Sequence, residues 1–150
     1  MKRLSILVLA LLLLSACAKK ASVEETAEIR EDTWGLTLSL RFEDEGNKLV
    51  FTRTDALEGD LQTGSSYVIE TKKGDTWEAV PYREDFGENL VWTAEAWLIP
   101  VGESEFPLDW SFLYGELPVG EYRVGKDVMH FRAPGDFDTA MYYAEFAIVG

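Results

Sequence analysis

An all-β antiparallel sandwich is predicted by three features of this 150-residue sequence. Apolar and polar residues alternate through Leu36-Thr37-Leu38-Ser39-Leu40-Arg41-Phe42, and again from Ser104 to Trp110. Period two of this kind marks strands with one wet face. Turn signals recur at fairly regular spacing, and no segment carries a convincing long-helix pattern. The expectation is about seven to nine short strands in a Greek-key sandwich.

The N-terminus is read separately from the fold. Lys2 and Arg3 precede an unbroken apolar stretch, Ile6 to Leu14, that closes on Leu14-Ser15-Ala16-Cys17. A basic n-region, an apolar h-region and small residues at the cut mark 1–16 as a secretory signal. The apolar run is too short for a retained anchor of ~20 residues. Cys17 is the single cysteine, and an exported protein left with one unpaired thiol would be unusual. The tetrapeptide resembles the lipobox of bacterial lipoproteins, in which the cysteine is lipidated, carries fatty acyl chains such as palmitate, and becomes the mature N-terminus. That resemblance implies a protein held to the cell membrane on its extracytoplasmic face. Each buried CH₂ contributes ~0.8 kcal/mol, and stable attachment takes more than one chain.

Lys2 and Arg3 are the only charges before Cys17, so processing moves the formal charge from -13 to about -15. A chain this acidic repels nucleic acid and anionic headgroups. The membrane partner is therefore reached through lipid, not through charge. Residues 17–32 read as the lipidated cysteine and a polar tether. Lys19, Lys20, Glu24, Glu25, Glu28 and Arg30 dominate it, and only Val23 and Ile29 are sizeable aliphatics. Such a segment cannot bury enough surface to fold alone.

Residues 33–150 form the sandwich domain. Leu36 to Phe42 is the first strand, and Glu43-Asp44-Glu45-Gly46-Asn47 turns the chain into a second, Lys48 to Arg53, with Leu49 and Phe51 inward. A loop runs from Thr54 to Ser66. Tyr67 to Thr71 and Thr76 to Val80 form a hairpin about Lys72-Lys73-Gly74-Asp75, and Pro81 ends it. Leu90 to Ile99 reads as a long apolar strand, stopped by Pro100 and Gly102. Phe106, Leu108 and Trp110 share a strand face, and Trp110 to Gly115 makes one helical turn with a glycine stop. Tyr122 to Lys126 is a strand that Val128 to Phe131 extends or follows. Met141 to Val149 is the last. The five Trp, six Tyr and eight Phe are mostly core and cross-strand pairs at this spacing.

Catalytic chemistry finds no foothold. His130 is the single histidine, in the strand-like run Val128-Met129-His130-Phe131, and no nucleophile motif, P-loop or dinucleotide fingerprint is present. The acidic runs Glu43 to Asn47, Glu84 to Glu88 and Asp136 to Asp138 offer hard oxygen ligands, but none fits a twelve-residue calcium loop. Nothing sets two carboxylates at glycosidase spacing. We therefore expect no catalytic residue, no metal site and no cofactor.

Two stretches carry a more specific signal. In Leu117-Pro118-Val119-Gly120-Glu121-Tyr122, a tyrosine follows a glycine corner at the start of a late strand. Gly120 and Tyr122 thus look like a tyrosine corner, whose phenol bonds a backbone group a few residues upstream. Phe106-Pro107-Leu108-Asp109-Trp110-Ser111-Phe112-Leu113-Tyr114-Gly115 leads into it. Together with Tyr67 to Val80, these residues resemble a bacterial immunoglobulin-like (Ig-like) domain family found in lipoproteins and other surface proteins, largely of Gram-positive bacteria. The likeness spans roughly Trp34 to Val149. It lacks the antibody cysteine pair and brings no activity or site residues with it.

The expected function is a non-enzymatic, membrane-tethered recognition module for a cell-envelope protein or a wall polymer. The alternative is a protease inhibitor or modulator. Binding is expected at loops of the sandwich ends, the longest being Thr54 to Ser66 and Gly125 to Ala140, which Ig order places at one end. The second offers Phe137 between Asp136 and Asp138 as an amphipathic tip.

Overall fold

The computed structural model describes residues 22–26, 34–86 and 90–150. The signal segment and Cys17 lie outside them. Ten strands are described: β1 (Ser22–Thr26), β2 (Leu36–Arg41), β3 (Asn47–Arg53), β4 (Asp60–Thr63), β5 (Val68–Lys73), β6 (Thr76–Ala79), β7 (Trp97–Leu98), β8 (Gly102–Leu108), β9 (Gly120–Ala133) and β10 (Asp136–Val149). One helical turn, α1 (Ser111–Tyr114), stands between β8 and β9.

The strands form two antiparallel sheets. The smaller has the order β2-β3-β8. Its inward positions follow the alternation: Leu36, Leu38 and Leu40 from β2, Leu49 and Phe51 from β3, Leu108 from β8, all buried. Pro107 is tolerated because β8 is an edge strand, where a missing N–H breaks no ladder. The larger sheet runs β1-β10-β9, and β9 then carries two partners along its far edge. β4 pairs with its later half (Leu61 opposite His130), and β5 with its earlier half (Ile69 opposite Val124). β7 extends β4 and β6 extends β5.

The core lies between the sheets. From the larger sheet, Leu61, Ile69, Tyr122, Val124, Val128 and Phe146 point into it. Each such side chain contributes roughly 1.5–3 kcal/mol on leaving water. Aromatic packing closes the end near α1: Phe146 stacks on Trp110 at 5.0 Å and on Tyr122 at 5.5 Å between centroids. The expected helical turn ends at Gly115, whose φ of 73° suits a residue without Cβ.

Four expectations are corrected. Gly125 to Ala140 is not a loop. β9 and β10 run through it and meet at Pro134-Gly135, with Gly135 at φ 80°. The ladder reaches the tip, with Asp136 opposite Ala133 and one register shift between Asp136 and Phe137. Thr54 to Ser66 likewise contains β4. Leu90 to Ile99 is no long strand: only Trp97 and Leu98 join a ladder. Upstream, Trp92 packs edge-on against Tyr67, and Thr93 accepts from Ser65 Oγ at 3.1 Å. Those contacts carry the segment across the sheet edge instead of along it. Finally, part of the polar tether is a strand. The β1 backbone pairs with β10, Ser22 opposite Val149 through Thr26 opposite Glu145. Backbone pairing needs no apolar side chain, so composition gave no warning.

Candidate functional site: the outer face of the larger sheet

Tyr122 is buried, and its Oη donates to Pro118 O at 2.8 Å, four residues upstream. Gly120 lies against the same ring, so a Cβ there would sit 3.4 Å from it. Asp136, Phe137 and Asp138 stand at the tip of the β9–β10 hairpin. Arg132 Nη2 donates to Asp136 Oδ1 at 2.6 Å and Nη1 to Asp138 Oδ2 at 2.8 Å. The pairing holds Asp136 below its ordinary carboxylate range, chiefly through that hydrogen bond. Phe137 remains 48% exposed between them. His130 is bound in the frame: Nε2 lies 2.7 Å from Glu58 O, and its ring meets Trp34 edge-on at 5.6 Å.

The other acidic runs are also neutralised locally. Glu43 pairs with Lys48 at 2.8 Å, and Asp85 with Arg83 at 2.7 Å. Among the described residues no group of three His, Cys, Asp or Glu is placed to hold a metal ion.

The most distinctive local feature centres on Lys126, which the sequence reading passed over. Four residues (64–67) stand between β4 and β5, opposite only Lys126 and Asp127 on β9. The step breaks the ladder and leaves carbonyls without strand partners. Lys126 fills the gap. It faces inward, 1% exposed, and its Nζ donates to Gly64 O and to Ser66 O, the latter at 2.8 Å. The ammonium also sits 5.5 Å above the Trp97 ring. Burial pushes its pKa down to about 8, while the neighbouring Asp127 charge acts the other way. A signal was available: Tyr122, Val124, Lys126 and Val128 share one parity, which puts a lysine on the core face.

On the opposite face the same step opens a groove of about 310 Å³. Gln62 and Gly64 form one side, Glu95 and Ala96 the wall, and Asp127, Met129 and Thr139 the other side. Gly64 is packed under the wall, with Glu95 O 3.1 Å from where a Cβ would stand. Around the groove this face leaves apolar side chains open: Leu98 60% exposed, Met141 37%, and Phe137 at the hairpin tip. Further down the face, Arg123 is stacked 3.8 Å over Tyr143 and 4.7 Å over Trp77, and paired with Glu70. Lys72, on the same face of β5 as Glu70, also lies over Trp77 and pairs with Glu121 at 3.8 Å, so it is engaged as well. Neither Glu95 nor Asp127 is held in an ion pair among the described residues; Asp127 acts on Lys126 only through space.

The order β2-β3-β8 facing β10-β9-β4/β5, with a bonded tyrosine at the start of β9, defines an Ig-type sandwich. A family model described as a bacterial Ig-like domain matches residues 32–147, and the chain belongs to that family. Domains of this family are generally non-catalytic and of extracellular type. No curated protein and no solved structure matches the chain.

Proposed function

We propose that this protein is a lipid-anchored recognition module on the extracytoplasmic face of the membrane of a Gram-positive bacterium. The acyl chains on Cys17 hold it there, and the outer face of the larger sheet contacts a cell-envelope partner. One observation carries the choice of face: it combines a groove, exposed apolar side chains and carboxylates outside ion pairs. Exposed apolar groups in one place beside a concavity mark interaction surfaces more often than inert ones. A photo-crosslinking residue in place of Thr139, beside the groove, should capture a discrete envelope partner in cells. The same residue in place of Ser39, on the outer face of the smaller sheet, should not. Equal labelling from both positions overturns the assignment.

A second reading, a protease inhibitor or modulator, is favoured by the hairpin tip. Arg132 braces Asp136 and Asp138, and Phe137 projects between them, which suits insertion into a partner's cleft. The wedge is a strand-backed turn and not the long loop expected. A panel of extracellular proteases decides it: inhibition lost in Phe137→Ala supports the wedge, and no inhibition at micromolar protein removes it.

A further inference from the structure

We infer that the groove receives a lysine or arginine side chain presented by an extended segment of a partner protein. This rests on the reading of the larger sheet's outer face as the recognition surface. Three observations identify the occupant. First, Glu95 and Asp127 both border the groove, and Asp60 lies two residues above Gln62 on the same face of β4. None of the three has an ion-pair partner among the described residues, and Arg123 is committed to Glu70. A cation entering here therefore meets opposite charge that no ion pair holds and that the buried Lys126 ammonium offsets only in part. Second, apolar or methyl-bearing side chains, among them Ala96, Met129 and Thr139, stand beside the carboxylates, with Gln62 as the neutral polar group of the lining. That combination matches a side chain with an aliphatic stem and a charged head. Third, Leu98 and Met141 are exposed on either side. A strand presents alternate side chains about 6.6–6.8 Å apart on one face. An apolar–basic–apolar pattern at positions i, i+2 and i+4 would cover them together.

The same observations weigh against other occupants. A second copy of this chain carries a net charge of -13 and would bring carboxylates to carboxylates. An anionic polymer is repelled for the same reason.

The chain itself supplies reporters. It has three methionines, and Met129 and Met141 both lie on this face. The experiment uses the full chain in detergent micelles, labelled with ¹³C at the methionine methyls. The probe is a capped peptide Leu-Ser-Lys-Ser-Leu-Ser, with a second in which Glu replaces Lys. The lysine peptide should shift Met129 and, less, Met141. Binding should weaken roughly fivefold in Asp127→Asn and in Glu95→Gln, and stay unchanged in Glu78→Gln. It should fall as salt rises from roughly 0.05 M to roughly 1 M, where the Debye length is about 3 Å. No shift at Met129, equal shifts from the glutamate peptide, or undiminished binding in both variants overturns the inference. The two levels separate cleanly. If the Thr139 crosslink persists in Asp127→Asn and in high salt, the face recognises a partner by other chemistry and this inference fails alone. If the Thr139 crosslink never forms, the recognition reading fails with it.

Discussion

The two outer faces of this sandwich are built from the same alternation and finished in opposite ways. On the smaller sheet, Arg41 reaches across β3 to Glu103 (2.8 Å) and to Glu105, and Lys48 bridges Glu105 (3.1 Å) and Glu43. The lattice roofs Val50, which is buried although it points away from the core. Its hydrogen bonds hold the Glu105 carboxyl below its usual range, Lys48 foremost, and raise Lys48 and Arg41. On the larger sheet, Glu95 and Asp127 have no such partners, and Leu98, Met141 and Phe137 stand open. One face is finished within the molecule. The other keeps carboxylates outside ion pairs and apolar area exposed, as surfaces not optimised for stability do.

The contrast can be tested from the core outward. Phe146 is buried and stacks on both Trp110 and Tyr122. Phe146→Ala should cost about 3–5 kcal/mol. Because both faces rest on one core, amide exchange in β3 and β9 should accelerate together. Acceleration in β9 alone would show that the faces belong to separable units.

Lys126 comes next. Its folded pKa, about 8, lies below the ordinary 10.5, so the unfolded chain holds more protons between those values. The penalty is fully present below pH 8, shrinks as pH rises, and is gone above 10.5. Unfolding free energy should therefore rise by about 2 kcal/mol between pH 7.5 and 9.5, and Lys126→Met should flatten that rise. Denaturant titrations at the two values measure it. An equal rise in both proteins would mean that Lys126 does not carry the charge beneath the groove.

Tyr122→Phe leaves Pro118 O without its donor and should cost about 1 kcal/mol by urea denaturation. It should leave the Met129 and Met141 methyl signals in place, since the corner lies on the core side of the sheet. Movement of those signals would couple the corner to the groove.

The smallest effects separate the faces themselves. Glu105→Gln removes partners from Arg41 and Lys48 and should lower the urea midpoint slightly. Asp127→Asn breaks no ion pair and withdraws only the field that favours the Lys126 ammonium, so it should lower the midpoint less. A larger loss in Asp127→Asn than in Glu105→Gln breaks the comparison.

Much of the scaffold could be read in advance. Period two located β2, β3, β5, β8 and the ends of β9 and β10, because each buries one face and leaves the other wet. The corner at Gly120 and Tyr122 was visible because its chemistry is local, four residues from donor to acceptor. The site was not visible in this way. Lys126, Gly64, Glu95 and Asp127 are ordinary residues in sequence and become a groove only where a step between β4 and β5 meets a crossing segment. The loop expected at Gly125 to Ala140 failed for a related reason. The pairing of β9 with β10 is a contact between separate stretches of chain, and it carries both strands through this span to the turn at Pro134-Gly135.

Sequence alone determined which residues turn inward, where the chain must turn, and that the domain carries an excess of negative charge. Those properties depend on side-chain type and near-neighbour spacing. Tertiary structure alone decided which carboxylates find cations and which do not. That outcome depends on strands far apart in the chain: Arg41 meets Glu103 and Glu105 across sixty residues, whereas Asp127 faces Met141, Gln62 and open water. Charge is written into the sequence, but its compensation is a distance, and distances between strands exist only once the sheets have formed.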